Sequence, residues 1–320
     1  MSGLSNIYAA MVCLIPSTLL WAGPNATPSE GTAAAADVSY IRVIRDADHE
    51  PLFLDTAVKR FVPTGAKTGP VVDLISCIHL GDKSYYRTLD RLFDEYDVVL
   101  YEMVMEKDAT VSRDNPQNEN KLLAMVQRVL PALLGLEFQA DALDYTRENF
   151  VHADLSPTEL REAIRKGNGN ATTFFNRVLT DVIGQLQEES VQQPNSQPLD
   201  MESFSLLSGP AGAVKLRQMI ADQLDRVGLE SVLGPTLDRL LLHDRNAAAM
   251  KVLKQQLSKG TQKVAIFYGA AHMPDLQKRL HRDLGFRHHS TAWVRAWDIR
   301  RKSENSGLEG LLRALTNERR

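Results

Sequence analysis

Val71-Val-Asp-Leu-Ile-Ser-Cys-Ile-His79-Leu-Gly-Asp82 is the stretch of sequence from which the fold is best predicted. Its run of Val, Leu and Ile is typical of a buried strand, and His79 stands where that strand gives way to a turn. Two other segments have a similar layout: residues 97–102 form an apolar strand that ends in Glu102, and residues 263–272 form one that leads to His272. Because parallel strands open onto one common edge of a sheet, we expect the three strand ends to form an α/β active site.

The residues between the first two strands predict a helix. Gly81-Asp82 marks a turn, Asp82 is a suitable N-cap residue, and apolar side chains recur at helical spacing over 84–95. A strand–helix–strand unit of this size requires parallel pairing and a right-handed crossover. We therefore predict an α/β fold over residues 38–320, with a mixed, largely parallel central sheet and flanking helices.

Segments on both sides of this unit extend the prediction. The alternating segment 39–45, a turn cluster and the run 52–62 predict a β-hairpin. Residues 274–284 have a helical pattern, and 286–299 have the composition of a strand at the sheet edge or of a last hairpin.

A long stretch between the two halves of the predicted sheet has helical patterns. Ser156-Pro-Thr-Glu159 is a capping box with Pro at the first helical position. Apolar residues recur at helical spacing in 172–188, 214–226 and 235–257. We interpret about 121–233 as a helical insertion in the domain.

The first 37 residues differ from the rest of the chain. Residues 7–22 carry no charge and are followed by a small-residue region, so 1–23 resemble a secretory signal peptide and 24–37 a linker. We therefore expect a secreted or periplasmic protein, with an uncleaved N-terminal anchor as the alternative. Removal of the signal would take Cys13 away and leave Cys77 alone, so no intrachain disulfide is expected.

The overall composition is that of an ordinary globular protein. The chain has 320 residues, of which 43% are hydrophobic and 24% charged, and its net charge is -3. This balance does not suggest binding to nucleic acid or to an anionic membrane surface. No stable membrane insertion is expected once the signal is removed, because no other stretch is apolar over the length of a bilayer.

Both strand-end histidines precede a predicted helix, whose positive end disfavours an imidazolium. We expect His79 and His272 to stay neutral near pH 7, the form that binds a metal ion. Gly269-Ala-Ala has almost no side-chain bulk, so backbone or substrate can come close. Either histidine alone could be a hydrogen-bonded structural residue, but their equivalent positions favour a shared site.

Glu102 and Arg245 are charged residues in apolar surroundings. A carboxylate buried without a partner is strongly disfavoured, so Glu102 must be paired, metal-bound or protonated. Arg245 lies on a predicted helix among small residues, where it can clamp a carboxylate or a polarised carbonyl. A structural ion pair between the two residues and a surface position for Arg245 stay open as alternatives.

Together, these segments resemble the TraB/PrgY/GumN family over about 38–300. That family is related to the Tiki metalloproteases and, more distantly, to erythromycin esterases and ChaN-like haem-binding lipoproteins. The resemblance is carried by four motifs in the family's order: His-Leu-Gly-Asp at 79–82, Tyr-Asp-Val-Val-Leu-Tyr-Glu at 96–102, His-Asp-Arg-Asn at 243–246 with Met250, and Gly-Ala-Ala-His-Met-Pro at 269–274.

Members of the family carry two Gly-x-x-His motifs, a glutamate and an Arg-Asn pair. The second motif is intact as Gly269-Ala-Ala-His272, Glu102 matches the glutamate, and Arg245-Asn246 matches the pair. The first motif reads Ser76-Cys-Ile-His79, with Ser where Gly is usual. The added Cβ and hydroxyl of Ser76 could crowd the strand, which would weaken activity.

The resemblance implies a divalent transition metal, such as Zn, Mn or Co, held by His79 and His272, with Glu102 as a further ligand or general base. Arg245 would stabilise the oxyanion formed from a peptide or a small amide or ester. Four residues would support the site or bind substrate: Asp82, Asn246, Tyr268 and Gly269. A metal-independent hydrolase of the esterase type and a non-catalytic haem- or peptide-binding protein are the alternatives.

Overall fold

The computed structural model describes five stretches of the chain, together with residue 162. They are residues 39–65, 68–105, 131–160, 209–231 and 242–301. The predicted signal peptide, the linker, and the helix predicted over 172–188 lie outside the described residues.

A seven-stranded mixed sheet forms the centre of the molecule, which confirms the predicted α/β class. Its strands are β1 (Ile41–Arg45), β2 (Pro51–Pro63), β3 (Val71–Cys77), β5 (Val98–Tyr101), β7 (Phe150–His152), β8 (Lys263–Gly269) and β9 (Phe286–Asp298). Two further strands, β4 (Leu80–Gly81) and β6 (Glu137–Phe138), pair with each other in a separate small sheet.

Four parallel strands, in the spatial order β3, β8, β5 and β7, carry the predicted site. β8 enters from the distant end of the chain and pairs with β3 on one side and β5 on the other. Residues Cys77 and Gly269 are therefore neighbours across the sheet, as are Tyr101 and Phe267. This order brings the ends of the three predicted strands to one edge, as expected of parallel strands.

The other side of the sheet is antiparallel. β1 and β2 form the predicted hairpin, and the long strand β2 also pairs with β3 and with β9. The strand-rich segment after the last described helix is thus a sheet strand, β9, which pairs with β2 along most of its length.

Helices cover both faces of the sheet, and the alternation of side chains along the strands produces two cores. The helices are α1 (Lys83–Phe93), α2 (Gln139–Ala142), α3 (Gly209–Ser231), α4 (Asp244–Ser258) and α5 (Met273–Leu284). Along β8, Ala265 and Phe267 face the core under α1 and α3, whereas Val264 and Ile266 face the core under α4 and α5.

The stretch predicted as a helical insertion, about 121–233, is not helical throughout. It contains β6 and also β7, which pairs with β5 and extends the main sheet. The difference arises because Phe150–His152 is too short to show a strand pattern, and its pairing with β5 decides its conformation. The predicted capping box is present: Ser156 N donates to Glu159 Oε2 and Glu159 N donates to Ser156 Oγ.

No helix in the described part of the chain combines the length and the apolar character that crossing a bilayer requires.

Candidate functional site

Three predicted residues meet at the carboxyl edge of the parallel strands. Glu102 directly follows β5, His79 lies two residues beyond β3, and His272 ends a short 3-10 turn that follows β8. A Cβ placed on Gly269 would lie 3.3 Å from Glu102 Oε2, 3.8 Å from His79 Nε2 and 3.8 Å from His272 Cδ2. One point beside the glycine is therefore within 3.8 Å of all three side chains, and a side chain at position 269 would occupy it.

Glu102 is the centre of this cluster, and its side chain is only 7% exposed. Oε2 accepts a hydrogen bond from the backbone N–H of Gly269 at 2.7 Å. Oε1 lies 2.8 Å from Arg245 Nη2 and 3.3 Å from His272 Nε2. Burial alone would raise the pKa of Glu102, but the charges of His272 and Arg245 outweigh it and hold that pKa well below its ordinary value. The carboxylate is therefore ionised at neutral pH.

Arg245 is held in place by Asp154, a residue that the sequence analysis missed. Its Nε donates to both carboxylate oxygens of Asp154, at 2.9 and 3.2 Å, and Nη2 donates to Oδ2. The Asp154 side chain is fully buried. Burial lowers the pKa of Arg245, but Asp154 and Glu102 together raise it well above its ordinary value. Arg245 is thus a permanent buried cation between two carboxylates, and not a surface residue.

Asp154 stands two residues beyond β7, the same distance that separates His79 from β3. All four parallel strands therefore deliver a polar residue to the same edge. An apolar run followed by a carboxylate was the available signal in the sequence, but the run is three residues long and did not stand out.

His272 is oriented by Asn246, which is fully buried on α4. The amide nitrogen of Asn246 donates to the backbone carbonyl of His272 at 3.2 Å and to Asp275 Oδ2 at 2.8 Å. Both partners are pure acceptors, so the amide oxygen must be the atom that lies 2.7 Å from His272 Nδ1. Nδ1 of His272 therefore carries a proton and donates it, and Nε2 is the nitrogen that faces Glu102.

His79 is oriented by Gln139, a second residue that the sequence analysis missed. Its Nδ1 lies 3.1 Å from Gln139 Oε1. Burial is the largest influence on His79 and lowers its pKa, which agrees with the neutral ring expected from the sequence. The cause differs from the one predicted, because desolvation dominates.

Tyr268 and Ser76 lie buried beside the site. The hydroxyl of Tyr268 donates to the carbonyl of Ala153, and its ring meets that of His272 edge to face at 5.1 Å. Ser76 Oγ donates to the carbonyl of Tyr40 at 3.1 Å. The Ser76 hydroxyl is therefore accommodated within the core.

Asp82 does not join this cluster. It is the N-cap residue of α1, as predicted, but its side chain makes no capping hydrogen bond. Its carboxylate instead accepts from the backbone N–H of Asp298 at 2.7 Å and pairs with Arg301. Burial raises the pKa of Asp82 against these favourable contacts. The residue thus fastens the end of β9 to the start of α1, because a carboxylate at that buried position must be paired.

His79, His272 and Glu102 carry atoms that can be ligands of a transition metal. Within the described residues, no group of three or more His, Cys, Asp or Glu side chains stands at ligand spacing. Because Nδ1 of His272 donates its proton to Asn246, however, the contact of Nε2 with Glu102 requires a second proton or a cation between them. Imidazole nitrogens and a carboxylate are ligands of Zn, Mn and Co, and a metal-binding histidine usually donates its other ring N–H to an acceptor oxygen, as Nδ1 of His272 does to Asn246. The residues present therefore fit a divalent transition metal by the type of their donor atoms, whereas their spacing among the described residues is not that of a ligand set.

Comparisons with known proteins find no relative of this chain. Neither a protein-family model, nor a curated protein, nor a solved structure matches the chain. The likeness to the TraB/PrgY/GumN family therefore stays a prediction from the motifs of the sequence.

Proposed function

We propose that the chain is an exported hydrolase of the TraB/PrgY/GumN type, which uses an activated water to cleave a peptide bond or a small amide or ester. The observation that carries the proposal is the convergence of His79, Glu102 and His272 on one open point beside Gly269. A buried, ionised carboxylate beside two imidazole rings can accept a hydrogen bond from a water and so position that water for attack. The uncharged segment 7–22 supports export.

His79, His272 and Glu102 are the residues that would hold a divalent metal. Such an ion, when bound, lowers the pKa of a water to about 7 and polarises a carbonyl oxygen. The protein's own contribution is orientation: Nδ1–H of His272 donates to Asn246, so that Nε2 is the nitrogen that faces Glu102.

Arg245 is placed to stabilise the negative charge that develops on the substrate. Its Nε and Nη2 are engaged by Asp154 and Glu102, whereas Nη1 has no acceptor within the described residues. A carbonyl oxygen bound by Nη1 would lie beside Glu102, because the three guanidinium nitrogens belong to one planar group. Fixed donors of this kind stabilise an oxyanion without reorganisation during the reaction.

A metal-independent hydrolase is the second candidate, and a specific observation favours it. Glu102 Oε1 is already shared by Arg245 Nη2 and His272 Nε2 at 2.8 and 3.3 Å, which is the arrangement of an acid–base cluster linked by protons. In that case Glu102 and His272 would transfer the protons of water by general acid–base catalysis alone.

The deciding experiment measures metal content by mass spectrometry on the purified protein and on His79→Ala and His272→Ala. His289→Ala, at an exposed position on β9, is the matched control. Hydrolysis of a quenched-fluorescent peptide library and of p-nitrophenyl esters is measured on the same samples, with and without chelator.

We expect near-stoichiometric transition metal in the wild type and in the control, its loss in both site variants, and turnover that a chelator removes. Turnover that survives complete metal removal would favour the metal-independent candidate. A folded protein that hydrolyses neither substrate class, even after loading with Zn, Mn or Co, would contradict the proposed function.

A further inference from the structure

Gln139 contacts His79 through both its main chain and its side chain. Its backbone N–H donates to the carbonyl of His79 at 2.8 Å, and its side-chain Oε1 lies 3.1 Å from His79 Nδ1. Gln139 directly follows β6, whose pairing with β4 places Phe138 opposite Leu80. The contact between Gln139 and His79 therefore continues this strand pairing by one residue, and His79 is held by a small sheet that is separate from the main one.

The orientation of the Gln139 amide follows from its other partners. Cys77 Sγ lies 3.2 Å from the same Oε1, and Gln139 Nε2 donates to the hydroxyl of Tyr145 at 2.9 Å. A thiol is a donor in this contact, and it faces the amide oxygen.

The same arrangement occurs at the other histidine on unrelated elements. His272 Nδ1 donates to an amide oxygen of Asn246 on α4, and His79 Nδ1 faces an amide oxygen of Gln139 at the start of α2. His272 Nε2 then lies 3.3 Å from Glu102 Oε1, and His79 Nε2 lies 3.8 Å from the Cβ position of Gly269, which is itself 3.3 Å from Glu102 Oε2. Two buried side-chain amides thus hold Nδ1 of both rings and leave Nε2 as the nitrogen on the side of the site.

We infer that Gln139 is a positioning residue that holds His79 as the Nδ1–H tautomer, with the unprotonated Nε2 facing the space beside Gly269. The catalytic role of this tautomer rests on the proposed function, but the tautomer itself can be tested independently of it. His79 lies beyond the end of β3, where hydrogen bonds of the main sheet no longer constrain it. Its ring would otherwise be free to rotate and to exchange the proton between its two nitrogens.

The test is a nitrogen-15 NMR spectrum of the histidine rings in chelator-treated protein, with His79 assigned from the spectrum of His79→Ala. Shifts and couplings of the ring nitrogens distinguish the Nδ1–H from the Nε2–H tautomer. We expect Nδ1–H in the wild type and in Gln139→Glu, which keeps an acceptor oxygen at that position. In Gln139→Leu we expect His79 to lose this preference while the signals of His272 stay unchanged.

Asn149→Leu is the control, because it removes a side-chain amide that binds the carbonyls of Phe93 and Tyr96 away from the site. It should lower stability and leave both tautomers unchanged. Should Gln139→Leu fail to fold, the wild-type spectrum still decides, and Tyr145→Phe releases the amide by removing the acceptor of Nε2. Partial exchange of the His79 proton is expected in that variant.

A wild-type His79 protonated on Nε2, or an unchanged tautomer in Gln139→Leu, would overturn the inference. Kinetics separate this result from a failure of the proposed function. If the protein is an active hydrolase, and Gln139→Leu changes neither kcat nor the His79 tautomer, the positioning role alone is refuted. If the His79 tautomer depends on Gln139 but the protein shows no turnover, the proposed hydrolase function is refuted and the positioning role stands.

Discussion

At the scale of single residues, Glu102 is the side chain on which the other site residues depend. Arg245, His272 and the backbone of Gly269 all contact its two oxygens. Glu102→Gln replaces the carboxylate by a group of the same shape that can no longer accept a proton. We expect turnover to fall at least about 100-fold, the lower range of general-base contributions, as measured by initial rates on the best substrate.

The fold of Glu102→Gln should be intact, since Arg245 keeps its bonds to Asp154. Circular dichroism and the unfolding temperature provide that control. Hydrolysis at the wild-type rate by the folded variant would rule out the proposed role of Glu102.

Gly269 makes a different contribution, because it leaves room. In Gly269→Ala the new Cβ would lie 3.3 Å from Glu102 Oε2 and within 3.8 Å of both rings. We expect loss of metal binding and turnover with only a small change in stability, because the methyl group occupies the point on which the three groups converge. Metal titration and initial rates are the measurements.

Gly285→Ala is the counterpart of that variant. Gly285 ends α5 at a φ of 66°, and a Cβ there would meet nothing within 4 Å. Its substitution should cost about 1–3 kcal/mol of stability through backbone strain and leave turnover unchanged. The reverse pattern, with Gly269→Ala fully active, would show that the space beside Gly269 is not used.

At the scale of elements, β7 places the residue that holds Arg245 at the edge of the sheet. Asp154, just beyond this strand, is the fully buried partner of the guanidinium. Asp154→Ala would leave a buried charge shared only with Glu102, and we expect a loss of about 3 kcal/mol in the free energy of unfolding. Urea unfolding followed by tryptophan fluorescence measures it.

The same variant should also lower kcat more than it changes KM, because Arg245 acts on charge that develops in the transition state. Glu162→Ala, an exposed carboxylate in the helical turn that follows, is the control and should change neither quantity. An Asp154→Ala protein as stable and as active as the wild type would mean that Glu102 alone positions Arg245.

At the scale of the whole molecule, the proposed metal would connect three strands that are far apart in sequence. A ligand at about 100 times its Kd stabilises the native state by about 2.7 kcal/mol. We therefore expect Zn, Mn or Co to raise the unfolding temperature of the chelator-treated protein by several degrees. Differential scanning calorimetry makes the measurement, and Mg serves as the control ion because it prefers oxygen ligands.

His79→Ala and His272→Ala should lose this stabilisation. Equal stabilisation of the wild type and of both variants would place the bound metal elsewhere in the chain. A wild type that no transition metal stabilises would favour the metal-independent candidate.

Much of the fold could be predicted because its signals are local. The hairpin of β1 and β2, the strands β3, β5 and β8, and the helices α1 and α5 all follow from the periodicity of side chains within single segments. The strand-end positions of His79, Glu102 and His272 follow from the same patterns. An apolar run that stops at a polar residue can be recognised within one segment, without information about the neighbouring strands.

The tertiary structure alone decided which residues complete the site. Asp154 and Arg245 are 91 positions apart, and Gln139 and His79 are 60 apart. Their meeting depends on the insertion of β8 between β3 and β5 and on the pairing of β7 with β5, which no local period encodes. Asp82 is a further example. Its neighbours in sequence predict a helix cap, but in the structure its carboxylate binds the backbone of β9 and Arg301. Sequence determines where a strand ends and which side chain it carries there; the order of the strands determines what that side chain meets.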